Sequence, residues 1–230
     1  MSRVFALVPA AGVGARMNAA RPKPLLEIAD TPIVVSTLEA LARHPLIEEI
    51  VLVFSPEGLG EARDLVKRYK IAKVSRVIAG GATRKDSVRN GLEVVPSRAE
   101  LVLIHDGVRP FVDEACITRV IEAAREGGAA VLGVPVKATV KRVDKRQEVD
   151  ATLRREQLWE IQTPQVFERE LIQKAYLRAS RIAAPDDASL VEAMGKRVRV
   201  VMGSYFNIKI TTQEDLVFAE AIAGFLRLGA

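Results

Sequence analysis

The chain has 230 residues, of which 34 are Lys or Arg and 29 are Asp or Glu, so it carries a formal charge of +5. Hydrophobic residues make up 49% and charged residues 27%, the balance of an ordinary globular protein and not of a disordered or collagen-like chain. A chain of this length buries roughly 70% of its unfolded surface. The single cysteine, Cys116, forbids an internal disulfide, and only two histidines leave little for a zinc site.

No apolar stretch reaches the roughly 18 residues of a membrane span. The first residues, Val4–Phe5–Ala6–Leu7–Val8 after Arg3, imitate a signal peptide. Pro9 interrupts them, and Gly12, Gly14 and Arg16 follow where an apolar core should continue. They read as a buried first strand leading into a loop, and the expected location is the cytoplasm, with no membrane partner.

Short apolar runs then alternate with longer amphipathic segments. Val4–Val8, Ile50–Phe54, Val74–Ala79, Leu101–Ile104 and Ala130–Val134 are rich in Val, Ile and Leu, as strands covered on both faces of a parallel sheet should be. Ile33–Ala42 sets Val34, Leu38 and Leu41 on one helical face behind Pro32. Ser55 and Thr83 open the next two helices, and Asp113 a fourth that Gly127–Gly128 stops. After Pro135 the rhythm changes. Thr139–Val143 and Val149–Leu153 flank the charged turn Asp144–Lys145–Arg146–Gln147 and predict an exposed hairpin. A helix over Glu168–Ser180, a turn at Pro185–Asp186–Asp187, a helix around Leu190–Met194, strands at Arg197–Val201 and Ile208–Ile210, and a closing helix over Thr212–Leu226 complete the chain. The pattern is α/β: a single domain over residues 1–230, built on a mostly parallel sheet flanked by helices, with a protruding β-arm at about residues 139–155.

Three loops at strand ends hold the candidate chemistry. Pro9–Ala10–Ala11–Gly12–Val13–Gly14 follows the first strand, and its small residues let backbone N–H groups approach an anion. Arg16 and Lys23 bring two cations to the same strand end. A dinucleotide fingerprint is not met, because Met17 stands where the third glycine belongs, and no Walker loop is present. Gly80–Gly81–Ala82–Thr83–Arg84–Lys85–Asp86–Ser87 follows the third strand, where open amides and the Ser87 hydroxyl could read a base edge. His105–Asp106–Gly107–Val108–Arg109–Pro110 follows the fourth. Asp106 could hold a magnesium ion or its water and Arg109 a phosphate, while His105 reads as a satisfied structural histidine. Basic and glycine-rich loops on one sheet edge imply a polyphosphate ligand, which also accounts for the basic excess. With only 5% aromatic residues and no basic–aromatic alternation, a nucleic-acid partner is not expected.

The ordered set Pro9–Ala10–Ala11–Gly12–x–Gly14–x–Arg16–Met17, Pro22–Lys23, Asp86–Ser87–Val88, His105–Asp106–x–x–Arg109–Pro110, Thr163–Pro164–Gln165 and Asn207–Ile208–Lys209–Ile210–Thr211 resembles the 2-C-methyl-D-erythritol 4-phosphate cytidylyltransferases of non-mevalonate isoprenoid synthesis. That resemblance implies a Rossmann-like nucleotidyltransferase fold and the transfer of a cytidylyl group from CTP to methylerythritol phosphate, with Mg²⁺ and release of pyrophosphate. It implies CTP phosphates on Pro9, Ala10, Ala11, Gly12 and Gly14, with Arg16 and Lys23 as catalytic cations. Cytosine and ribose would lie on Gly80, Gly81, Ala82 and Ser87, and Asp106 beside the sugar and the metal. Arg155 (or Arg154, one residue earlier) and Lys209 would position methylerythritol phosphate, with Arg109, Thr139 and Thr163 nearby. The arm would reach over a second copy in a homodimer, so that Arg109 and Thr139 act across the interface. The chain departs from the family pattern at Pro185, where a threonine is common, and at Phe206, where an acid is common. Ribitol-5-phosphate cytidylyltransferases resemble it in the nucleotide loops and are the alternative. A nucleotide-sugar glycosyltransferase fits less well, because Asp106 is followed by Gly107 and Val108 and not by an Asp-x-Asp pair.

Overall fold

The computed structural model describes residues 3–12, 21–178 and 184–228. In chain order the elements are β1 (Val4–Pro9), the short pair β2 (Glu27–Ile28) and β3 (Thr31–Pro32), α1 (Ile33–Arg43), β4 (Ile47–Phe54), α2 (Leu59–Arg68), β5 (Val74–Ala79), α3 (Arg84–Glu93), β6 (Leu101–Ile104), α4 (Glu114–Gly127) and β7 (Ala129–Pro135). Then come β8 (Lys141–Val143), β9 (Val149–Thr152), β10 (Trp159–Glu168), α5 (Arg169–Arg178), α6 (Asp187–Glu192), β11 (Arg199–Met202) and α7 (Gln213–Leu228).

Seven strands form the central sheet in the order β11-β7-β10-β6-β1-β4-β5. β10 runs antiparallel to both of its neighbours, and the other strand pairs of the sheet are parallel. Side chains alternate across the sheet, so β1 sends Val4, Ala6 and Val8 into the core under α1 and α4, and Phe5 and Leu7 into the core under α3, α5 and α6. Two-sided cover is why the run is apolar throughout, and each such side chain withdrawn from water contributes about 1.5–3 kcal/mol.

Helix boundaries follow local chemistry. The Thr83 hydroxyl accepts the Asp86 amide at 3.1 Å and caps α3. Asp113 accepts the Cys116 amide at 2.6 Å and caps α4, which ends at Gly128 with a left-handed φ of 79°. The expected hairpin is present as β8 and β9, a two-stranded sheet of its own whose residues are nearly all exposed.

Two expectations are corrected. Ile208–Ile210 is not a strand; it is an irregular segment held where the Ile210 amide donates to the Val108 carbonyl at 3.0 Å. β10 is a ten-residue strand where no strand is expected, because Gln162, Thr163, Pro164 and Gln165 break the apolar run. Their polar atoms are buried but bonded, so the strand survives. Among the described residues no helix is long and apolar enough to cross a membrane.

Candidate active site

The loops that follow β1, β5 and β6 emerge at one edge of the sheet, where open α/β sheets bind ligands. They enclose a cleft of about 760 Å³ lined by Pro9, Ala10, Ala11, Gly12, Lys23, Gly80, Gly81, Ala82, Arg84, Ser87, Asp106 and Lys209. These are nine expected contact residues, two expected catalytic lysines, and Arg84, to which the sequence assigns no role. Gly14 and Arg16 lie outside the described residues. Lys209 reaches the cleft from the irregular stretch that the Val108 carbonyl anchors.

The glycine-rich loop after β5 is packed against the loop after β1. A Cβ on Gly80 would stand 2.5 Å from the Ala11 Cβ and 2.7 Å from the Ser87 Oγ, and one on Gly81 would stand 2.4 Å from the Asp86 Cβ. Only glycine fits either place. Among the described residues, a Cβ on Gly12 would meet nothing within 4 Å. The buried Ser87 hydroxyl donates to the Thr83 carbonyl at 3.0 Å and accepts the Gly81 amide at 3.1 Å. Ser87 therefore shapes this loop, with one remaining acceptor position for a ligand.

Charge converges on Asp106. Its Oδ1 accepts from Arg84 Nε at 2.9 Å, while Oδ2 meets Lys209 Nζ at 2.8 Å and Arg109 Nε at 3.7 Å. Burial alone would raise the Asp106 pKa, but Arg84, Lys209 and Arg109 outweigh it and hold the carboxyl well below the usual carboxylate range. The Arg84 terminal nitrogens form a fork on the fully buried Asp187, at 3.1 and 2.8 Å. The Tyr176 hydroxyl donates to the same carboxylate.

Asp106, Arg109 and Thr163 meet in one bonded group. Thr163 Oγ1 accepts the Asp106 amide at 3.0 Å, and Arg109 Nη1 donates to the Asn207 carbonyl at 2.7 Å. Thr163 is almost wholly buried, and neither it nor Arg109 lines the cleft. Arg109 faces the Asp106 of its own chain. Thr139 and Arg155 stand apart: both are exposed at the base of the arm, where Arg155 Nη1 donates to the Lys137 carbonyl at 3.2 Å, and neither lines the cleft.

Sequence reading misses the roles of Arg84, Tyr176, Asp187 and Asn207. Arg84 is visible as a cation just inside a capped helix, and Asp187 as half of an acidic pair. Their pairing spans 103 positions, and no local signal announces it.

Among the described residues no group of three or more His, Cys, Asp or Glu could cage a metal. Asp106 and Glu57 are the carboxylate residues lining the cleft, and Asp106, beside the cations, could hold Mg²⁺ together with nucleotide phosphates.

The family described as "IspD: 2-C-methyl-D-erythritol 4-phosphate cytidylyltransferase" matches residues 4–224. The 2-C-methyl-D-erythritol 4-phosphate cytidylyltransferase of Syntrophus aciditrophicus (strain SB) is 47% identical over 222 residues, covering 95% of each chain. Among solved structures, 4-diphosphocytidyl-2C-methyl-D-erythritol synthase from Anaerococcus prevotii DSM 20548 superposes with a TM-score of 0.86 at 36% identity, covering 97% of this chain and 96% of that one. The 2-C-methyl-D-erythritol 4-phosphate cytidylyltransferase from Thermus thermophilus gives 0.81 at 34% identity, covering 96% and 99%.

Proposed function

This chain belongs to the 2-C-methyl-D-erythritol 4-phosphate cytidylyltransferase family, and from that premise we propose how its residues share the work. The enzyme transfers the cytidylyl group of CTP to 2-C-methyl-D-erythritol 4-phosphate in the non-mevalonate isoprenoid pathway. The products are 4-diphosphocytidyl-2-C-methyl-D-erythritol and pyrophosphate. One observation carries the assignment of roles: the glycine-rich loops and Lys23 share one cleft with the Asp106 carboxylate, which Arg84 and Lys209 pair.

The nucleophile is an oxygen of a phosphate monoester, whose second pKa is about 6, so it arrives ionised at neutral pH and needs no general base. That oxygen forms a bond to the α-phosphorus of CTP while the bond to pyrophosphate breaks. The obstacle is the approach of a dianion to a polyphosphate, and fixed positive charge removes it. In this reading Pro9, Ala10, Ala11, Gly12 and Gly14 receive the triphosphate, and Arg16 and Lys23 hold the charge that passes to pyrophosphate. Gly80, Gly81, Ala82 and Ser87 take the cytosine and ribose. Asp106 would hold Mg²⁺, which supplies charge neutralisation of the phosphates. Lys209 holds the attacking phosphate, with Arg109 and Thr163 behind it.

Arg155 and Thr139 complete the site of a second copy. Their distance from their own cleft supports that role, as do the exposed Val143 and Val149 on the hairpin, which suit a homodimer mounted on the arm. A cytoplasmic location accords with substrates of this kind.

The test is pyrophosphate release in the presence of Mg²⁺, with methylerythritol phosphate and ribitol 5-phosphate in parallel and ATP and UTP as controls. Release is expected only from CTP with methylerythritol phosphate. Release with ribitol 5-phosphate alone would move the enzyme to a different acceptor.

A further inference from the structure

His105 makes contacts that a merely space-filling histidine would not. It is fully buried at the end of β6, and its own amide donates to the Leu7 carbonyl of β1 at 2.9 Å. Its ring touches two partners. Nδ1 lies 3.1 Å from Thr163 Oγ1, and Nε2 lies 3.0 Å from the Arg109 carbonyl.

A proton inventory fixes the direction of each bond. The Arg109 carbonyl can only accept, so Nε2 must carry a proton. Thr163 Oγ1 already accepts the Asp106 amide, and its one hydroxyl proton has the bare Nδ1 as its acceptor. The sequence of donors is therefore Asp106 N–H to Thr163 Oγ1, Thr163 O–H to His105 Nδ1, and His105 Nε2–H to the Arg109 carbonyl. Between those ends the Arg109 amide donates to the Asp106 carbonyl at 3.1 Å, closing a tight turn.

We propose that His105 is a positioning residue for cytidylyl transfer: its ring clasps the 105–109 turn from both ends and so sets where the Asp106 carboxylate and the Arg109 guanidinium stand. The inference rests on the reaction assigned above. It follows from where the two side chains start. Both leave the same turn, and both belong to the charge cluster. The Arg109 guanidinium is anchored separately on the Asn207 carbonyl, so the backbone clasp and the side-chain anchor act from opposite sides. Ring orientation by second-layer hydrogen bonds is how enzymes hold reacting groups within the narrow geometry that catalysis needs.

The chain has two histidines, so nitrogen-15 NMR of the full-length protein can read both rings, with His44→Gln identifying the second. The expected result at pH 8 is a His105 ring protonated on Nε2 alone. Protonation on Nδ1 at that pH would overturn the proposal. Thr163→Val should shift the Nδ1 signal by removing its donor, and an unchanged signal counts against the proposal. His105→Gln keeps a donor near the Arg109 carbonyl but loses the acceptor for Thr163, while His105→Asn does the reverse. Each is expected to lower kcat/KM by about 10–100-fold with an unchanged circular dichroism spectrum. A folded variant with wild-type kcat and wild-type KM for both substrates would refute the role. Wild-type protein assayed alongside separates the two ideas. An inactive wild type refutes the assigned reaction, whereas an active wild type with unaffected variants refutes only the part given to His105.

Discussion

Arg84 is shared between two carboxylates that differ in their surroundings. Asp106 stands at the cleft wall and receives only Nε, whereas Asp187 is fully buried and receives both terminal nitrogens together with the Tyr176 hydroxyl. Burial and the Asp187 charge push the Tyr176 phenol far above its ordinary pKa, so it remains a donor at any pH the fold tolerates. A planar guanidinium can serve both carboxylates at once because its donors diverge in a fixed fork, and a lysine ammonium could not do so. Removing the Asp187 charge would leave Arg84 partly unpaired in a buried setting, the case in which a broken ion pair is costly. Asp187→Asn is therefore expected to destabilise the fold by about 3–5 kcal/mol, measured by urea unfolding. A loss below about 1 kcal/mol would show that Arg84 relies on Asp106 alone.

At the scale of elements, the cleft depends on how closely the turn entering α3 approaches the loop after β1. Gly80→Ala would drive a methyl group into Ala11 and Ser87, and the two loops would have to separate. Overpacking of this kind costs about 1–3 kcal/mol, and the expected signature is a raised KM for CTP. Gly60→Ala on α2, where a Cβ meets nothing within 4 Å, is the control and should leave KM unchanged. Equal KM values in the two variants would show that this contact does not shape the nucleotide site. The same close packing explains what could be foreseen. β1, β4, β6 and β7 are legible because both faces of each are covered, β5 as a half-buried apolar run at the sheet edge, and the caps Thr83, Asp113 and Gly128 announce their helices locally. β10 is not legible, because its inward-facing Gln162, Thr163 and Gln165 are satisfied only by partners that tertiary structure brings in. Lys23, Asp106 and Lys209 are legible as charges near strand ends and in family motifs. The fork from Arg84 to Asp187 and the ring contacts of His105 depend on crossings between distant segments, which no periodicity records.

At the scale of the whole molecule, the base of the arm stands away from the cleft of its own chain. Lys209 and Asp106 stand in the cleft, while Arg155 and Thr139 stand away from it at the base of the hairpin. If two copies exchange arms, a Lys209→Ala chain and an Arg155→Ala chain each fail alone but together leave some sites intact. Random pairing of equal amounts should restore about a quarter of the wild-type sites. No recovery after co-refolding would place Arg155 in the site of its own chain. β10 joins the two regions, since Trp159 and Ile161 are exposed where it leaves the arm and Gln162–Phe167 are buried where it crosses the sheet. Its pairing with β7 shifts register between Ile161 and Gln165. Sequence drift should therefore change pace partway along one strand. Up to Ile161 substitutions meet little of this chain's own packing, and beyond it they answer to neighbours on both sides and to the turn that Thr163 supports.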